Sequence, residues 1–248
     1  MEIMKVDGLL YKQIVTNGAA SLRANYKIVD ALNVFPVPDG DTGTNMRMTI
    51  EAGVDAISSC DDTKIGDMAK KLSRGMLMGA RGSSGVILSQ LFRGISKGLE
   101  GLDEVNAVEL GKAFKMGVTQ AYKAVMKPTE GTILTVAREA SDYAFKKVNK
   151  KTTILEYFDL LIKEAKASLE RTPDLLPVLK DAGVVDSGGA GYIYVIEGMQ
   201  KAIKGEIIES ESAASTLGSV KPNHTFNAHS ELEYGYCTEF ILQLQHST

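Results

Sequence analysis

The stretch SGVILSQLFRGISKGL, residues 84–99, decides the fold class. Ile87, Leu91 and Ile95 stand four apart, with Leu88, Phe92 and Leu99 beside them. That spacing is the period of an amphipathic helix burying one apolar stripe. Working outward, residues 107–126 carry Leu110, Phe114, Val118, Tyr122 and Val125 in the same rhythm. Further stripes are Ile133, Val136, Ala140, Tyr143 and Ala144, then Ile154, Phe158, Leu161, Ala165 and Leu169, then Tyr192, Ile196, Met199 and Ile203. With segments near 5–32, 43–58 and 64–80, the pattern predicts eight helices. No run of alternating apolar residues precedes residue 208, so the expected domain is all-α.

After residue 208 the composition changes. Residues 209–222, ESESAASTLGSVKP, are rich in Ser and Ala without periodicity and read as a linker. YGYCTEFILQLQ (234–245) then reads as a strand. A single strand is no domain, so the expectation is a domain over 1–208, a linker over 209–222, and the start of a second domain over 223–248. The chain thus reads as the front of a longer protein.

Bulk properties exclude several function classes. A net charge of −3 gives no general attraction to nucleic acid or acidic lipid. No apolar run approaches a membrane span and the first residues lack a signal-peptide pattern, so a cytoplasmic protein with free thiols is expected. All three histidines, His224, His229 and His246, follow residue 223. The helical domain therefore holds neither a Ser-His-Asp triad nor a zinc site of His and Cys ligands.

Chemistry-bearing residues gather in the breaks between helices. PVPDGDTGTNM (36–46) carries Asp39 and Asp41 around Gly40. As a polar turn, Asp and Gly serve the backbone; as a metal site, the two carboxylates suit Mg²⁺, with other positions left to water and phosphate. An EF-hand is disfavoured, because Ile50 stands where its bidentate Glu belongs. GARGSSG (79–85) opens the next helix; it is either a turn with a Ser cap or an anion site formed by Gly82, Ser83, Ser84 and unpaired N–H groups. It is neither a Walker A loop nor a Rossmann fingerprint. In KPTEGT (127–132), Pro128 ends one helix and Thr132 or Glu130 caps the next. In VVDSGGAG (184–191), Asp186 is a cap or a ribose acceptor, and Gly188 and Gly189 allow close packing or close ligand approach. If the helices run up and down, alternate connections gather at one end, where a nucleotide site can form.

The stretches NVFPVPDGDTGTNM (33–46), GARGSSGVILSQLFRG (79–94), PTEGTILTVAREA (128–140) and DAGVVDSGGAGY (181–192) resemble the nucleotide-binding, DhaL-like subunit of the dihydroxyacetone kinase family. Within it they look most like the large subunit of bacterial fatty acid kinase. The resemblance spans about residues 5–205 and implies an eight-helix antiparallel barrel with ATP at one rim. It implies that Asp39 and Asp41 hold two Mg²⁺ ions against the ATP phosphates. Asn33 stands nearest to a third acidic ligand of the dihydroxyacetone branch and offers a carbonyl oxygen without charge. Thr42, Thr44 and Asn45 match groups near phosphate and metal; Gly82, Ser83 and Ser84 match the phosphate loop. Thr132 and the turn from Asp186 through Gly188 and Gly189 match the segments that close over the nucleoside.

The resemblance further implies a kinase whose acceptor, a fatty acid carboxylate, is presented by a DegV-like lipid-binding partner protein, giving acyl phosphate for phospholipid synthesis. An ionised carboxylate needs no base to attack phosphorus, in keeping with the lack of histidine. It also implies a middle domain beginning at YGYCTEF, with Cys237 near a soft-metal or structural site, and a homodimer made through later domains. Alternatives are a dihydroxyacetone-type kinase subunit, whose branch has His where Thr42 stands, and a nucleotide-binding adaptor without turnover.

Overall fold

A computed structural model describes residues 2–208. Its elements in chain order are β1 (Lys5–Val6), α1 (Gly8–Ala31), α2 (Thr42–Ile57), α3 (Ile65–Met78), α4 (Gly82–Gly98), β2 (Val105–Asn106), α5 (Ala107–Ala124), α6 (Ile133–Lys147), α7 (Ile154–Leu175), α8 (Pro177–Ala182) and α9 (Ser187–Ile203). Eight of these helices match the periodic segments. The ninth, α8, has six residues, with Pro177 at its start and Gly183 in the left-handed conformation at its end. β1 and β2 form one antiparallel bridge, Lys5 opposite Asn106 and Val6 opposite Val105. The predicted linker and strand, the histidines and Cys237 lie outside the described residues.

Helix starts follow from side-chain chemistry. The Asp7 carboxylate accepts the N–H of Leu10 at 2.8 Å to begin α1. Asn106 with Glu109, and Thr153 with Glu156, form capping boxes at α5 and α7. Thr132 caps α6 and Asp186 caps α9.

Neighbouring helices pack in sequence order, and the ring closes when α9 returns to lie between α7 and α1; α3 braces α1, α2 and α4. The apolar stripes point inward. Tyr11, Ile14, Leu22, Met46, Ile50, Leu72, Tyr157 and Phe158 are all buried. Phe114, Tyr157 and Phe158 meet edge to face, with centroids 5.5–6.2 Å apart, the geometry favoured by aromatic quadrupoles. No described helix is long and apolar enough to cross a membrane.

The antiparallel course gathers the connections α1–α2, α3–α4, α5–α6 and α7–α9 at one end. At the other end the remaining connections bond to one another. Gly8 donates its N–H to the Thr63 carbonyl at 2.7 Å, Ile65 to Asp103 at 3.0 Å, and Ile154 to Ile3 at 2.9 Å. That end is closed by backbone pairing. The first end is open.

Candidate functional site

The open end holds a cavity of about 360 Å³, within the range of small-molecule sites. All four connections contribute: Asn33, Asp39, Asp41, Thr42 and Asn45 from the first, Gly82, Ser83 and Ser84 from the second, Thr132 from the third, and Asp186 and Gly188 from the fourth. Thus all but two of the sequence-predicted site residues line one space.

Thr44 and Gly189 are the two that do not. The N–H and hydroxyl of Thr44 both donate to the Asp30 carboxylate, at 2.9 and 2.8 Å. The N–H of Gly189 donates to Asp186 at 2.7 Å, and a side chain there would press on Val136 and Leu169. Thr44 therefore acts in starting α2, and Gly189 in capping and packing α9.

Asp39 and Asp41 flank Gly40, whose φ of +68° is the left-handed conformation open to glycine. Partial burial, and then the Asp41 carboxylate beside it, push the Asp39 carboxyl above its ordinary range. Two carboxylates facing one another repel unless a cation or a proton intervenes. Asp41 also stands at the N-cap position of α2, where Asp ordinarily caps the helix, yet its side chain makes no cap bond. Asp30 takes the Thr44 N–H instead. The carboxylate of Asp41 is left for the cavity.

Asn33 bridges this loop. Its amide donates to the Val37 carbonyl at 2.6 Å and to the Asp39 carboxylate at 3.0 Å, while its carbonyl oxygen accepts the Thr42 hydroxyl. As placed, Asn33 fixes the position of Asp39 and Thr42, and its oxygen is already engaged. Ser187 donates its hydroxyl to Thr42 at 3.2 Å, tying α9 to α2.

α4 likewise begins at the cavity without a side-chain cap: Arg81, at its N-cap position, makes no such bond. Gly82 has φ +56°, and a side chain there would collide with the Asn45 amide, 2.4 Å away. The two helix starts are locked together through Thr49, which accepts the Arg81 N–H at 3.1 Å and donates to the Asn45 carbonyl at 2.7 Å. The first-turn N–H groups of α4, with those of Thr42 and Gly43 that Asp30 leaves unbonded at the start of α2, offer a surface that suits an anion.

Asp186 is 4% exposed, and burial pushes its carboxyl up to about 7, although the N–H groups of Gly189 and Ile133 draw it down. Sequence reasoning missed several lining residues: Phe35, Pro36 and Val37 ahead of the Asp pair, Ile87 on α4, and Val125, Lys127, Thr129, Ile133, Leu134 and Ser187. Ile87, Val125 and Ile133 share the periodicity of the buried faces, which hides a wall role, and Phe35, Pro36 and Val37 lie in a loop without periodicity.

Two carboxylates, with the Thr42 hydroxyl nearby and the Asn33 oxygen engaged in holding it, fit a hard divalent cation that completes its shell with water or phosphate. Among the described residues no group of three or more His, Cys, Asp or Glu could hold a metal alone. The donor set suits Mg²⁺ arriving with a ligand rather than a permanent protein cage.

Residues 36–201 match the family described as the DAK2 domain, and the chain belongs to that family. It is 49% identical over 97% of its length to the uncharacterized protein SSP1546 of Staphylococcus saprophyticus, covering 44% of that protein. It is 48% identical over 98% of its length to the protein YloV of Bacillus subtilis, covering 45% of it. The chain thus spans less than half the length of these relatives. A crystal structure of the dihydroxyacetone kinase from C. freundii in complex with AMP-PNP and Mg²⁺ matches with a TM-score of 0.57 at 21% identity, over 81% of this chain and 35% of that one. The native form of the same kinase matches with a TM-score of 0.55 at 20% identity, over 82% of this chain and 36% of that one. The fold is therefore that of the helical, DhaL-type domain of dihydroxyacetone kinase.

Proposed function

We propose that residues 1–208 form an ATP- and Mg²⁺-dependent kinase domain that phosphorylates a fatty acid carboxylate presented by a separate, DegV-like lipid-binding protein. Residues 209–222 would link it to a second domain opening at 223–248, in keeping with relatives more than twice as long. The observation that carries the reading is the Asp41 carboxylate, left out of capping α2 because Asp30 takes the Thr44 N–H, beside the uncapped start of α4. A carboxylate pair and bare N–H groups in one cavity suit a metal–polyphosphate ligand. The structural neighbour bound to AMP-PNP and Mg²⁺ supports that choice.

In this reading Asp39 and Asp41 hold the metal, with Asn33 orienting Asp39 and Thr42. A bound divalent ion would neutralise charge on the phosphoryl oxygens. The N–H groups opening α2 and α4, with Asn45, Gly82, Ser83 and Ser84, receive the phosphates. Thr132, Asp186 and Gly188 close over the nucleoside, and Ile87, Val125, Ile133 and Leu134 give it an apolar wall. The acceptor carboxylate oxygen forms a bond to the γ-phosphorus as the bond from phosphorus to the β–γ bridging oxygen breaks, and ADP leaves. No proton moves, so the lack of histidine among residues 1–223 costs nothing.

The test is Asp41→Ala, measured by ADP release with Mg²⁺, ATP and a lipid-loaded partner. Loss of about 100-fold or more in turnover is expected, in line with removal of an electrostatic group from a phosphoryl-transfer site. Undiminished turnover overturns the proposal. Likeness to dihydroxyacetone kinase favours a second reading, in which a small ketone is the acceptor. Turnover with dihydroxyacetone and none with a loaded lipid carrier would select it.

A further inference from the structure

Among the described residues lining the cavity, one is basic, Lys127, and three are acidic, Asp39, Asp41 and Asp186. Lys127 is exposed, and its ammonium makes no ion pair or hydrogen bond with any described residue. α5, which leads into its loop, packs antiparallel on α4. A side chain on Gly98 would meet Ala113, one on Gly94 would meet Gly117, and Gln120 donates to Gln90 at 3.0 Å. α5 ends at Ala124 with Val125 extended, and beyond it Lys127 lines the same cavity as Gly82, Ser83 and Ser84, where α4 starts. Pro128 restricts the Lys127 backbone to extended conformations.

The loop is braced on its far side. The Glu130 carboxylate accepts the Tyr122 hydroxyl at 3.0 Å, the Thr135 hydroxyl at 2.6 Å, and both terminal nitrogens of Arg138 at 3.1 and 2.9 Å. The Gly131 N–H donates to Thr135 at 2.8 Å, and Thr132 donates to the Thr129 carbonyl at 2.8 Å. Glu130 and Arg138 are each about 40% exposed, and exposed ion pairs add little stability. So many bonds on one half-exposed carboxylate make sense as a fastening that fixes where the loop sits.

We propose that the Lys127 ammonium is the cationic contact for the nucleotide polyphosphate, and that Glu130 is the positioning residue that holds its loop over the cavity. The inference rests on the kinase reading above and adds residues outside its metal and phosphate-loop set. With the divalent ion taken by the Asp pair, the remaining phosphate oxygens meet bare N–H groups on one side and Lys127 on the other. A compact ammonium on a flexible stem suits a point contact of that kind.

Equilibrium binding of MgATP, MgADP and adenosine tests it on the wild type, Lys127→Ala, Lys127→Arg, Glu130→Gln and the Lys127→Ala/Glu130→Gln double variant. Lys127→Ala should weaken MgATP and MgADP by about tenfold or more, the effect of one lost charge-assisted bond, and leave adenosine within about twofold. Lys127→Arg should recover most of the loss. Glu130→Gln should weaken MgATP several-fold alone and add nothing in the Lys127→Ala background, because its effect runs through Lys127. Unchanged MgATP binding by Lys127→Ala, or an equal loss for adenosine, overturns the inference while wild-type binding keeps the kinase reading intact. A wild-type protein without nucleotide affinity overturns both.

Discussion

Replacing Asp186 by Asn should turn a pH-dependent fold into one less sensitive to pH. Asp186 is buried at the start of α9, and its carboxyl is raised from 3.8 to about 7 by burial. Between those values the folded chain keeps a proton on this group that the unfolded chain has released. Its contribution to stability is therefore complete below about pH 4 and is lost as pH rises through about 7. Three units at about 1.4 kcal/mol each give a ceiling of about 4 kcal/mol. Water reaching the ionised carboxylate would lower the figure. Asn keeps an oxygen for the Gly189 N–H and ranks with Asp as a cap, so the exchange removes charge while preserving shape. Urea unfolding followed by helical circular dichroism, in steps from pH 4.5 to 8, measures the difference between the two proteins. Other titrating groups cancel in that difference. The variant should gain on the wild type as pH rises, by as much as ~1 M in urea midpoint at slopes of about 3 kcal/mol/M. Parallel stability curves across this range would refute the reasoning.

Gly43 lets α2 begin against the backbone of α1, since a side chain there would come within 2.1 Å of the Tyr26 carbonyl oxygen. Gly43→Ala should cost about 2 kcal/mol or more in urea unfolding and weaken nucleotide binding, because the shift carries Asp41 with it. Asn106 caps α5 at the closed end, accepting the N–H groups of Val108 and Glu109 at 2.9 and 3.1 Å. Asn106→Ala should cost about 1 kcal/mol in the same assay and leave nucleotide affinity unchanged.

The helical architecture was legible because long apolar stripes at a 3.6-residue period have one plain reading. α8 was not, since six residues are too few to show a period, and β1 and β2 are only two residues each. The site loops were legible as an excess of acids, hydroxyls and glycines over what turns need. Helical phase would have sharpened them. Thr42, Asn45 and Thr49 recur at spacings of three and four and share one face of α2, whereas Thr44 lies about 200° around the helix from Thr42. That rotation turns Thr44 away from the cavity and toward Asp30. Asp30 itself left a faint signal: a carboxylate in the last turn of α1 opposes the helix dipole, which points to a partner outside its own helix. Glu130 was read as a possible cap of α6, yet Thr132 does the capping. No local spacing reveals that Glu130 instead gathers Tyr122, Thr135 and Arg138 around itself.

The helix starts that meet at the cavity are of two kinds, and the difference orients the proposed ligand. α6 and α9 are capped by their own side chains: Thr132 accepts the Leu134 N–H at 3.4 Å and Asp186 accepts the Gly189 N–H at 2.7 Å. Each has one first-turn N–H engaged, as α2 has its Thr44 N–H engaged by Asp30, and Asp186 adds a carboxyl that repels phosphate whenever it is ionised. α2 and α4 open without side-chain caps at their N-cap residues, Asp41 and Arg81. An anion gains most where N–H groups lack protein acceptors. On the proposed reading, polyphosphate would lie against the first-turn N–H groups of α4 and those of Thr42 and Gly43 in α2, which Asp30 leaves unbonded, and the uncharged nucleoside against α6 and α9. The Asp39–Asp41 loop precedes α2, so a metal held there, as proposed, would fall on the phosphate side. Lys127, proposed above as the cationic contact for the phosphates, lines the same cavity as the α4 start. Asp30 makes the arrangement possible: by taking over the cap bond at Thr44, it frees Asp41 from the helix it introduces.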